Sequence, residues 1–81
     1  MENAMTHPPT YIPAYLADPI ATAAVMAGWR KQAVVLRSHA SALGLPEAHQ
    51  RALLADADRC DAKARRVAHM ANRLRNLKAA A

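Results

Sequence analysis

Few side chains in this sequence stand where they could do chemistry. Asp56, Asp58 and Asp61 lie close together, but the oxygen spacing and central glycine of a calcium loop are missing and the segment reads as helix. His7, His39, His49 and His69 are never four residues apart from one another, nor at a ligand spacing from Cys60, so they form no zinc set. Two glycines leave no material for a loop that cradles phosphate. No nucleophile has a base at a recognisable spacing, and two helices offer no concave pocket of their own. The expectation is a noncatalytic protein with no catalytic residue, no metal ligand and no cofactor. A single Cys60 cannot form an internal disulfide, and its place on an apolar stripe reads as a small core residue in a reducing compartment.

One pattern remains that could bind something. Residues 62–81 hold six basic and no acidic side chains, whereas residues 1–61 hold five basic and six acidic, so the net charge of +5 belongs to the last quarter. Within this region Arg59, Arg66 and Arg73 recur every seven residues, a stripe that could track a phosphate backbone. The competing explanation is electrostatic: cations near a helix C-terminus complement its macrodipole and keep an Ala-rich helix in solution. No helix-turn-helix or leucine-zipper basic region fits the spacing, and Trp29 is the one helix aromatic.

These residues need elements to carry them. The chain has 81 residues, enough for one small domain, and although 53% are hydrophobic nearly half of those are Ala and only 4% of all residues are aromatic, so the available core is thin. Residues 1–17 contain Pro8, Pro9 and Pro13 and are expected to run as an extended arm, yet Tyr11, Ile12, Tyr15 and Leu16 give that arm apolar bulk suited to docking. Asp18-Pro19 is a helix start, Gly44 a helix stop and Pro46-Glu47 a second start. The expected fold is therefore all-α: an antiparallel two-helix hairpin over 18–81, with helices at about 19–43 and 46–78 joined by a very short link.

Heptad spacing supports the hairpin. Thr22, Met26, Trp29, Ala33, Leu36, Ala40 and Leu43 recur at intervals of four and three, as do Leu53, Ala57, Cys60, Ala64, Val67, Ala71 and Leu74. Glu47 with Arg51 and Asp61 with Arg65 form i,i+4 pairs. With the chain turning at Gly44 and Leu45, Pro19 should lie level with about residue 70, leaving the arm to cover Met70, Leu74 and Leu77.

Other apolar residues fall off the seam. Ile20, Val34 and Val35 share a second face of the first helix with Ala24 and Gly28, a small-residue notch, while Met70 and Leu77 widen the stripe of the second helix. Two helices rarely bury enough to be stable alone, so this face implies completion by oligomerisation or by another protein. The reading is a structural or assembly subunit that binds copies of itself or a larger complex; the alternative is a small nucleic-acid-binding regulator acting through Arg59, Arg66 and Arg73. Eight Arg to three Lys, with abundant Ala, points to a GC-rich bacterial or phage gene. The start Met1-Glu2-Asn3 followed by Pro8-Pro9 does not read as a secretory signal, and the longest charge-free apolar stretch, Pro19 to Trp29, is eleven residues, too short to span a bilayer. The expected location is cytoplasmic, or within a phage or protein assembly, with no membrane partner.

Overall fold

A computed structural model describes residues 12–80, so Tyr11 of the arm lies outside the described residues. A 3-10 turn over Ala14–Ala17 leads into helix α1, Pro19–Ala40, and then helix α2, Glu47–Ala80. The two helices pack against each other as a hairpin, and no strand occurs among the described residues. Asp18 caps α1 as its sequence suggests: the carboxylate accepts from the Ile20 N–H at 2.9 Å, and Pro19 fills the first helical position.

The heptad seam is the core. Ala33, Ala57 and Ala64 have no exposed surface, and Thr22, Ala40, Cys60, Val67 and Ala71 are buried beside them. Ala33, Ala57 and Cys60 form one cluster, flanked by Trp29 and Leu36. Leu16, Val67 and Ala71 form the other, against which Tyr15, Val25, Met26, Met70 and Leu74 pack. Most buried positions are Ala, so little side-chain volume fills the space between the helices, and the larger residues lie half-buried along the seam edges.

Three expectations need correction. The arm is not extended throughout: Ala14–Ala17 closes a 3-10 turn in which the Leu16 N–H donates to the Pro13 carbonyl at 3.1 Å and the Asp18 N–H to the Tyr15 carbonyl at 3.0 Å. Pro13 presets its own φ at −58° and Pro19 bars continuation backwards from α1, so the five residues between them have room for one tight turn.

Helix α1 also stops at Ala40 rather than Leu43, and Leu43 is fully exposed. The Ser41 hydroxyl donates to the Ser38 carbonyl at 2.8 Å, and the Ser41 and Ala42 N–H groups reach back only three residues, to Ser38 and His39, which tightens and ends the helix. Residues 41–46 make a longer link than two residues. Gly44 at φ 80° supplies its left-handed step, and the Gln50 N–H donates to the Pro46 carbonyl to open α2. Pro19 lines one cleft with Ala68, Ala71, Leu74, Arg75 and Lys78, the stretch of α2 on either side of residue 70 and beyond it.

Thirdly, Asp61 does not pair with Arg65. It accepts from Arg37 of α1 at 2.7 Å, and the same Arg37 nitrogen reaches Asp58 at 3.0 Å, a bridge from the C-terminal end of α1 to the middle of α2. The hydrogen bond to Asp61, followed by that to Asp58, raises the guanidinium pKa above its ordinary value. The Glu47–Arg51 pair forms as the sequence suggests, at 3.0 Å.

Candidate partner-binding faces

Two surfaces and one docked segment carry the residues singled out from the sequence. The first surface is the back of α1, opposite the seam. Ile20 is 81% exposed, Val34 64% exposed and Val35 more than a third exposed, with Ala24 and Gly28 exposed between them. A methyl group added at Gly28 would meet nothing within 4 Å, so among the described residues no element packs into the notch. The spacing along this face is itself heptad-like: Ile20, Ala24, Ala27, Lys31, Val34 and Ser38 follow at intervals of four and three, repeating the seam's rhythm on the other side of the helix. Small residues thus follow Ile20 along the stripe up to Lys31, with Val34 and Val35 beyond it, a shape another helix can approach closely around Ala24, Ala27 and Gly28.

The arm residues divide. Leu16 is buried against Val67 and Ala71, and Tyr15 packs beside it, whereas Ile12 is exposed. The buried Thr22 hydroxyl donates to the Tyr15 carbonyl at 2.9 Å, giving that oxygen a second donor beside the Asp18 N–H and tying the arm to α1. Met70 and Leu74 are half-buried against the arm's cluster, so the arm covers them as expected. Leu77 stays 66% exposed. Met70 therefore belongs to the intramolecular cluster, and of the two α2 residues assigned to a partner Leu77 alone remains largely open.

The second surface is the basic side of α2. Arg59, Arg66 and Arg73 are all exposed, but Arg59 is held by Asp56 at 2.7 Å and is not free in the way the other two are. Among the described residues Arg66 and Arg73 meet no carboxylate, and neither do Arg30, Lys31, Lys63, Arg65, Arg75 and Lys78. Lys63 has a different neighbour: its ammonium stands 4.4 Å from the centre of the Trp29 ring, so the aromatic edge of the seam is covered by a cation. No group of three or more His, Cys, Asp or Glu side chains comes together among the described residues, and no helix there is long and apolar enough to cross a membrane.

Sequence spacing alone missed the Arg37 bridge and the Lys63–Trp29 contact, because both join different helices. A usable signal was present for the first: Arg37 flanks the seam position Leu36 and has two carboxylates across the hairpin, at 58 and 61, as candidate partners. Compared with protein-family models, curated proteins and solved structures, the chain matches none.

Proposed function

We propose that this protein is a noncatalytic assembly subunit that packs the back of α1 against helices of another copy or of a larger complex. The observation that carries the reading is the apolar face of Ile20, Val34 and Val35, exposed beside the open notch at Gly28. Water gains nothing from such a face, whereas a second helix laid along it would bury the branched side chains and approach closely at Ala24, Ala27 and Gly28. Gly inside a helix costs about 1 kcal/mol relative to Ala, which close approach of a partner would offset. The thin intramolecular seam supports the same reading, since more apolar burial is available outside the chain than its own two helices provide.

Sedimentation equilibrium tests it. The wild-type chain is expected to associate at micromolar concentration, and the double substitution Ile20→Glu with Val34→Glu to weaken association ~30-fold or more, the size of one interface hot spot. A wild-type chain that remains monomeric and melts in one sharp transition overturns the proposal.

A second reading, a nucleic-acid-binding regulator, is favoured by one observation: Arg66 and Arg73 project from α2 with no carboxylate partner among the described residues. Replacing Arg59, Arg66 and Arg73 together by Gln should then weaken duplex binding at low salt and flatten its dependence on salt concentration. Binding that is absent from the start, or indifferent to the triple substitution, removes this reading.

A further inference from the structure

We propose that the open end of the hairpin is an anchor site for an acidic segment of another protein, which seats one large apolar side chain in the cleft and sets its carboxylates against Arg75 and Lys78. The cleft has a volume of about 260 Å³ and opens where the 3-10 turn, the first turns of α1 and the last turns of α2 meet. Leu16, Met26, Ala71 and Leu74 give it apolar walls, and Arg75 and Lys78 are its cationic lining. Pockets that enclose a whole small molecule run to ~300–1,000 Å³, so this one is sized for a single leucine- or phenylalanine-like anchor.

The cations are placed by the fold. Arg75 donates to the side-chain oxygen of Asn72, which also lines the cleft. Lys78 follows Leu74 by four residues and so takes the next heptad position of the α2 seam, where α1 no longer runs alongside and an apolar residue would be the natural continuation. An occupant thus meets an apolar floor first and positive charge where the seam would have gone on.

Charge complementarity identifies the occupant's chemistry. All five carboxylates among the described residues already accept within the chain: Asp18 from the Ile20 N–H, Glu47 from Arg51, Asp56 from Arg59, and Asp58 and Asp61 from Arg37. A second copy carries 11 Lys and Arg against six Asp and Glu, a net charge of +5, so it is electrostatically a poor occupant beside Arg75 and Lys78, and a partner that brings its own acids fits better. Nucleic acid fits less well, because no aromatic side chain lines the cleft to stack a base and only two cations face it. This inference goes beyond packing through the back of α1: substitutions at Ile20 and Val34 leave the cleft untouched, so either proposal can fail without the other.

Fluorescence anisotropy with the full chain at low ionic strength tests it. The probe is the labelled peptide Ser-Asp-Glu-Leu-Glu-Asp-Ser, compared with the same peptide carrying Ser in place of Leu. The leucine peptide is expected to bind, with the serine version ~10-fold weaker. Arg75→Gln with Lys78→Gln should weaken it ~10-fold and reduce its salt dependence, and Ala23→Phe, which fills the cleft from its α1 wall, should weaken it by a similar factor. Circular dichroism of each variant verifies that the helices are intact. No binding, equal binding of the two peptides, or indifference to both variants overturns the proposal. So does displacement of the peptide by decanoate or by a thymidine oligonucleotide, which would assign the cleft to a fatty acid or to nucleic acid. Much tighter peptide binding to a Glu2→Gln chain would assign it to the chain's own N-terminal segment, and loss of self-association on Ala23→Phe would assign it to a second copy.

Discussion

Leu16→Ala is expected to destabilise the hairpin by about 2 kcal/mol and to lower Tm by roughly 8–16 °C, with the helical signal before melting unchanged. Leu16 is the one buried side chain among the arm's described residues and joins Val67 and Ala71 of α2 in a single cluster, so truncating it leaves a gap at the end of the molecule where the seam is otherwise capped. The low end of the usual cost for such a truncation applies, because Tyr15, Met26 and Leu74 around it are half-buried and can partly close the space. The Tyr15 carbonyl would keep both its donors, so the turn itself should survive. Thermal melts followed by far-ultraviolet circular dichroism, at fixed protein concentration, give the answer. An unchanged Tm would mean that the arm contributes nothing to the hairpin and is held for another purpose.

A larger effect is expected from a substitution that a hydrophobicity scale would score as favourable. Ala57→Leu adds apolar surface and barely changes helix propensity. Yet Ala57 and Ala33 both have no exposure and lie in one cluster with Cys60, so the extra carbons have nowhere to go unless the helices part. Overpacking of this kind costs about 1–3 kcal/mol, and the upper end is expected because both helices would have to move along a seam built from small residues. The companion change Ala55→Leu, on the exposed side of α2, should fall within about 0.5 kcal/mol of wild type. Equal stability of the two variants, measured by urea unfolding, would show that Ala57 is not tightly packed.

The seam was legible because its positions obey one rule over many turns. All seven heptad positions read on the second helix are buried or half-buried, and so are Thr22 through Ala40 on the first. Leu43 failed because periodicity carries no information about where backbone hydrogen bonds stop; the Ser41 hydroxyl bonded to Ser38 ends the helix while the apolar spacing runs on. Asp61 failed for a related reason. The i,i+4 rule sees only one helix, and Arg37 on the facing helix offers its guanidinium to Asp58 and Asp61 together. The arm's docking followed from its bulky residues, but the tight turn at Ala14–Ala17 depends on what Pro13 and Pro19 permit between them. The cleft was hidden by a reading sufficient on its own terms: Arg75 and Lys78 suit a helix C-terminus, and nothing in the sequence shows that the turn of the arm encloses a cavity beside them.

Cys60 gives the hairpin a clock. Its thiol is the chain's one cysteine, and it lies buried in the cluster with Ala33 and Ala57, so a bulky thiol reagent can reach it only during moments when α1 and α2 separate. The labelling rate at low reagent concentration counts the fraction of time the molecule spends open, and at high concentration it counts how often opening occurs. The back of α1 lies on the opposite side of that helix from the seam, so an occupant seated there would not shield the sulfur by contact. Any slowing it caused would instead record how firmly an outside helix holds the inside pair closed.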